Sequence, residues 1–295
     1  MRVDPNPMPD LLAALNQTEL EAQQAELQIS TGRSVNVPSD NPTAAALLIQ
    51  DNDQATFTTG VLSSISSVQG QLATASSTLG SFNTSLQQAL ALGIEAANGT
   101  VSPADQAAIV VQLQGIQSQL ISLANTTYEG NYIFAGTKTN AAPFVADNSS
   151  PSGVDYVGNT GVNQVSIGSG YNLAVNLPGS QLFSSAGNDV FLTINNLIGA
   201  VQTNSGIETA VNAVNSASSY LSAQTVFYGN ATDQTQSETT YLNAAKLQIS
   251  QQQTTLGAAD VVAAATNLSQ AQTDSQAALE AIGKLSQDSL FTYLT

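Results

Sequence analysis

Hydrophobic positions along this chain fall into long heptad series at both ends, separated by a stretch of different period. From Val61 the residues Ile65, Val68, Leu72, Ala75, Leu79, Phe82, Leu86 and Ala89 follow at alternating steps of four and three. That spacing lays one apolar stripe along a helix for another helix to cover. A helix is predicted from Pro42 to about Ala97, roughly 80 Å long at ~1.5 Å per residue. No globular core is that long, so the element reads as the shaft of a rod. Ser39, Asp40 and Asn41 offer N-caps, with Pro42 at N1. Asn98-Gly99 signals a turn, after which Ser102 is placed to cap a second helix opened by Pro103, with Asp105 near its positive end. This helix carries its own seam of Ile109, Leu113, Ile116, Leu120 and Leu123. A short loop between two seamed helices predicts an antiparallel pair.

The chain ends carry thinner stripes. Prolines at positions 5, 7 and 9 put the first helix start near Asp10, and Gly32 closes it. Between them run two apolar series on nearly opposite faces, Leu15, Ala22 and Ile29 against Ala13, Leu20 and Leu27. A helix apolar on both sides calls for neighbours on both sides; the open question is whether the second neighbour belongs to the same chain. At the other end Val261, Ala264, Leu268, Ala271, Ser275, Ala278, Ile282 and Leu285 form an Ala- and Ser-rich seam that buries little area per layer. Such a helix alone is marginal in water, and the amino-terminal helix is its expected partner. Both ends are expected to be loosely ordered until assembly.

Between these seams the period changes. Tyr132 to Phe134 is a short aromatic and β-branched run, followed by a Gly- and Pro-punctuated region. There Val165 and Ile167, then Leu173, Val175 and Leu177, alternate with polar residues around Gly168-Ser169-Gly170, which predicts a hairpin. Helical pattern resumes near Asp189 and runs to about Leu256, with breaks expected near Gly206 and Gly229. The predicted fold is mainly α with a small β-rich insertion, an elongated coiled-coil or helical-bundle rod built from both chain ends. Its domains are residues 1–41 with 258–295 as a terminal coiled coil, 42–135 with 189–257 as the long-helix rod, and 136–188 as a β-rich module.

Composition removes most chemistry from consideration. The 295 residues include no Cys, His or Trp and carry a formal charge of −16, with only Arg2, Arg33, Lys138, Lys246 and Lys284 positive. Nothing could neutralise phosphates, so nucleic acid and anionic membrane surfaces are not expected partners. Disulfides, thiolate or imidazole metal sites and Ser-His-Asp chemistry are excluded, and no cofactor is expected. Gly168-Ser169-Gly170 lacks the third glycine and the strand-to-helix context of a dinucleotide loop. Asp51-Asn52-Asp53 reads as a solvated helix face, and Asp147 to Asp155 as an exposed loop, rather than as calcium sites. The opening MRVDPNPMPD has prolines and acids where a signal peptide would be apolar, and no apolar run approaches the ~20 residues that span a bilayer. The chain is expected either to stay in the cytosol or to leave by a route without a cleaved signal. No catalytic site is expected.

Three segments resemble the flagellin family. ISTGRSVNVPSDNP, from Ile29 to Pro42, is similar to its amino-terminal signature. LANTTYEGNYIFAGTKTNAAPF, from Leu123 to Phe144, resembles the hook-associated protein 3 branch, the hook–filament junction proteins. Ala264 to Leu294 is similar to the family's carboxy-terminal helix. The resemblance implies a secreted structural protein of the extracellular bacterial flagellum, exported unfolded by the flagellar type III apparatus with an export chaperone. Its implied partners are further copies of itself, hook-associated protein 1 and flagellin. It also implies terminal helices that line an inner tube, with Leu12, Leu15, Leu20, Leu27, Ile29, Val261, Leu268, Ala278, Ile282 and Leu285 as assembly contacts. Val61, Ile65, Val68, Leu72, Leu79, Phe82 and Leu86 would be the shaft seam. The prolines at 5, 7 and 9 depart from the family pattern, as do Ser34, where Arg is common, and Val37, where the junction branch often has another. A filament-forming flagellin is the alternative within the family, and a type III-secreted coiled-coil adhesin or translocator the alternative outside it.

Overall fold

The heptad series from Val61 to Ala89 forms the middle of α2 (Pro42–Ala96), a single helix of 55 residues. The computed structural model describes residues 8–168, 170 and 172–293, with side-chain surroundings through Lys284; Pro5 and Pro7 lie outside the described residues. The chain is mainly helical with a small β-rich insertion. The other helices in chain order are α1 (Met8–Thr31), α3 (Pro103–Ala124), α4 (Gly179–Leu182), α5 (Val190–Thr203), α6 (Ile207–Gly257) and α7 (Val261–Tyr293). The insertion holds the hairpins β1–β2 (Thr127–Tyr128, Asn131–Tyr132), β3–β4 (Phe144–Ala146, Val154–Tyr156) and β5–β6 (Gln164–Ser166, Asn172–Ala174). Two compact units result: residues up to Thr58 with those from Ala244 onward, and Thr59–Asn243.

In the Thr59–Asn243 unit the α2 seam meets a continuous core. Ile65, Val68, Leu72, Leu79, Phe82 and Leu86 are buried there, and Val61 is half-buried at its margin. Ile109, Leu113, Ile116 and Leu120 of α3 join them, as do Ile194, Leu197 and Val201 of α5 and Val214, Leu221 and Tyr228 of α6. The α3 start is built as its residues require: Ser102 Oγ accepts from Asp105 N at 3.2 Å and donates to Asp105 Oδ2 at 2.7 Å. Asp189 caps α5, its Oδ1 accepting from Leu192 N at 2.9 Å, although burial pushes its carboxyl pKa up. By length and composition alone α3 could cross a membrane, a point the glutamines along it hide in a residue-by-residue reading. Its apolar face instead enters this core.

Two-stranded hairpins are marginal by themselves, and these are fastened to the helices. Phe134, Phe144 and Phe183 bring the insertion onto Phe82 of α2 and Phe191 of α5. Phe82 stacks on Phe183 with centroids 4.5 Å apart, and Phe134 and Phe144 meet Phe183 edge-on at 5.1 and 5.6 Å. Asn125, just past α3, clasps Phe144 from both sides, donating Nδ2 to its carbonyl at 2.7 Å and accepting from its N–H at 2.9 Å. Tyr220 Oη donates to Gln181 O at 3.0 Å, and the buried Tyr228 hydroxyl accepts from Leu177 N at 3.3 Å. The β5–β6 hairpin pairs Val165 with Leu173, as its alternation predicts.

Three expectations are corrected. Gly229 does not break the helix: α6 is continuous from Ile207 to Gly257. A single helix glycine costs about 1 kcal/mol, and Tyr228 and Ala231 on either side bury enough to outweigh it. Helix α1 is already formed at Met8, before Asp10, and takes in Pro9 near its start, where a missing N–H is tolerated. Asp51 does not lie on a solvated face. Ala44, Leu48, Asp51, Ala55 and Thr58 extend the same three–four spacing upstream, so Asp51 is buried by position despite its charge, with Oδ2 lacking a hydrogen-bond partner.

Candidate assembly surface

In the unit that joins the chain ends, α1 and α7 pack along each other. They run antiparallel, because the carboxyl end of α1 is stitched to the amino end of α7. Gly32, at φ 67°, turns the chain, and an antiparallel bridge joins Arg33 to Ala258. Ala259 N donates to Gly32 O at 3.0 Å and Ser34 N to Gly257 O at 2.8 Å. Asp260 caps α7, its Oδ1 accepting from Val262 N and Ala263 N at 3.0 Å. Asn41 caps α2, its Oδ1 accepting from Ala44 N at 3.0 Å. Under this junction Val35, Ala44 and Ala45 form a small separate core.

Asp40 closes the 33–41 loop: its Oδ2 accepts from Val37 N at 3.0 Å and Asn36 N at 2.9 Å, and these amides lower its pKa below the ordinary carboxylate range. A carboxyl held lower in the folded state contributes stability that is complete above its unfolded pKa and lost as pH falls through the folded one. Acid titration is therefore expected to free the Asn36 and Val37 amides in the range below the ordinary Asp pKa. Amide hydrogen exchange at these two positions checks this, and Asp40→Asn is expected to remove the pH dependence.

The α1–α7 seam is thin. On α1 the covered face is Leu11, Leu15, Thr18, Ala22, Ala25 and Ile29, with Ala25 buried and the rest half-buried. On α7 it is Ala264, Leu268, Ala271, Ser275, Ala278 and Ile282, with the two alanines Ala264 and Ala271 buried. Alanine layers leave space, and a groove of about 380 Å³ opens between the helices, lined by Gln24, Gln28, Asn267 and Gln270 around Ala25 and Ala271. Of the two apolar series on α1, the one through Leu15, Ala22 and Ile29 meets α7. The other does not: Leu20 is 66% exposed, and Leu12 and Leu27 are also open. Val261 and Leu279 on α7 are exposed too, and Val262 is 78% exposed. The side chain of Leu285 lies outside the described residues. Ala25 is the seam residue the apolar series passed over; its three–four spacing from Ala22 and Ile29 was the available signal. The stitching by Ser34, Asp40 and Asp260 had no signature beyond an Asp before Val261-Val262.

Among the described residues no group of three or more His, Cys, Asp or Glu gathers. Asp147 belongs to the turn between β3 and β4, where its Oδ1 accepts from Ser149 N at 2.8 Å and from Ser149 Oγ at 2.7 Å, and Asp155 lies on β4.

Comparison with known proteins gives consistent matches. Residues 8–139 match the model of the bacterial flagellin N-terminal helical region, and residues 204–294 that of the C-terminal helical region. Flagellar hook-associated protein 3 of Salmonella typhimurium is 34% identical over 176 residues, covering 59% of this chain and 54% of that protein. Its Escherichia coli counterpart is 33% identical over 160 residues, covering 54% and 49%. The matched segments thus span about half the length of these curated relatives. A solved flagellar hook-associated protein from Vibrio parahaemolyticus has the same fold, with a TM-score of 0.66 at 21% identity over 73% of this chain and 98% of its own.

Proposed function

Because the chain belongs to the flagellin family, we propose that it is a structural axial component of the bacterial flagellum and joins the hook to the filament. The observation that carries this reading is the similarity to hook-associated protein 3. The uncovered Leu12, Leu20 and Leu27 face of α1 supports it physically, since an apolar helix face left open by its own chain is stabilised by burial against another.

In this reading residues 1–41 and 258–295 form the inner-tube coiled coil, with Leu12, Leu15, Leu20, Leu27, Ile29, Val261, Leu268, Ala278, Ile282 and Leu285 as contacts between copies. Residues 42–135 and 189–257 form the surrounding wall, and the 136–188 module faces outward. The partners are further copies of the chain, hook-associated protein 1 on the hook side and flagellin on the filament side. An export chaperone is a further partner before secretion to the cell exterior. The chain performs no catalysis in this role; it works by packing.

Deleting the gene tests the reading. Hooks without attached filaments, with flagellin shed into the medium, are the expected phenotype. Complete hooks with no flagellin made at all would instead identify the chain as the filament subunit.

A further inference from the structure

The segment from Leu123 to Phe144 is split by the fold into two jobs. Phe134 and Phe144 are buried in the core. Tyr128, Glu129, Asn131, Tyr132 and Thr139 instead line a hollow of about 370 Å³ against α2 and the β5–β6 hairpin, within the size range of small-ligand sites. The axial role proposed above makes no use of it. We propose that this hollow is a binding site for a neutral hexose unit.

Two local features show that the hollow is built at a cost. Gly70 lies inside α2, where glycine is the least favoured residue but proline. A Cβ there would collide with the Tyr128 hydroxyl and come within 2.8 Å of ring carbon Cζ. Glycine thus admits the hydroxyl end of the ring against the helix. Glu129 has φ 50° and Gly130 φ 81° in a two-residue hairpin turn. Asn or Asp is the usual choice at the first position of such a turn, and a long carboxylate is strained there. The strain places a carboxylate at the rim between two tyrosines.

The chemistry of the lining selects the ligand. The rim is held in place from behind: Asn163 N donates to Asn176 Oδ1 at 2.6 Å, and Thr137 N donates to Asn159 Oδ1 at 2.7 Å. The lining offers the Tyr132 hydroxyl, the Gln71 amide, the Thr139 hydroxyl and the Glu129 carboxylate, while the Tyr128 hydroxyl sits against Gly70. Amides and hydroxyls both donate and accept, as an array of sugar hydroxyls requires, and the tyrosine faces offer apolar contact to a pyranose C–H face. One carboxylate in a chain of charge −16 disfavours an anionic ligand. The absence of a second carboxylate from the lining gives a free cation little hold.

Saturation-transfer NMR and calorimetry on the full chain test this. The probes are the methyl glycosides of glucose, galactose, mannose and N-acetylglucosamine, with glucuronate and acetyl-lysine methylamide beside them. At least one neutral glycoside is expected to bind with a millimolar Kd. Tyr132→Ala is expected to weaken it about tenfold or more through loss of an aromatic anchor. Gly70→Ala, which displaces Tyr128, should do the same. Glu129→Gln, which relieves no packing and removes only charge, should weaken it less while the circular dichroism stays unchanged. No binding of any neutral glycoside, equal or tighter binding of glucuronate or of the lysine amide, or binding indifferent to both Tyr132→Ala and Gly70→Ala would each overturn the proposal. Hook–filament joining is read separately, so a failed sugar site leaves that reading standing.

Discussion

Replacing Phe82 with alanine is expected to destabilise the Thr59–Asn243 unit by about 3–5 kcal/mol, the cost of deleting a buried aromatic side chain. Phe82 is fully buried, stacks on Phe183 and meets Phe191 edge-on at 6.2 Å. It is the one ring that α2 contributes to the cluster, so its loss removes the helix side of the contact that holds the insertion. Denaturant unfolding followed by tyrosine fluorescence measures the loss. Phe57→Ala serves as control: Phe57 is exposed, and such surface changes usually stay within about 0.5 kcal/mol. If the two variants were equally stable, the ring cluster would not be what fastens the insertion.

Removing residues 261–295 is expected to melt α1 as well as delete α7. The only extended packing given to α1 among the described residues is its seam with α7, and that seam rests on alanines. An isolated helix of 24 residues with so thin a stripe is marginal. Circular dichroism of the truncated chain should therefore lose helix beyond the residues removed, and protease should cut within 8–31. Under the axial reading the truncated protein should also stay monomeric and fail to join hooks. Polymerisation at the normal rate would sink the role given to the terminal seams. The Thr59–Asn243 unit should unfold as before, because its core contains no residue of α1 or α7.

Much of the helical plan was legible because it rests on periodicity. A three–four spacing puts residues on one face whatever lies elsewhere, so the burial of Ile65 through Ala89 followed from order alone. The caps at Asn41 and Ser102 followed from local chemistry: a short polar side chain meets amides only two or three residues away. The α1–α7 pairing was inferable from two stripes of similar length with no other cover. The strand residues were legible only as alternation, and the two-stranded hairpins owe their place to rings that come from four separated stretches.

Asp51 and Gly229 show why the rest was not legible. Residue type argued for a solvated acid and a broken helix, while position within a packed face decided otherwise. Leu15 and Leu20 make the same point on α1. Alone, both are leucines on apolar series; which series its own chain covers depends on where α7 is stitched, through Arg33, Ala258 and Asp260, across more than two hundred residues. Local spacing is fixed by bonds between near neighbours, and so the sequence by itself determined the helices, their stripes and their caps. Which stripe is closed, which stays open and where a hollow forms are sums over distant contacts, and only the tertiary structure decided them.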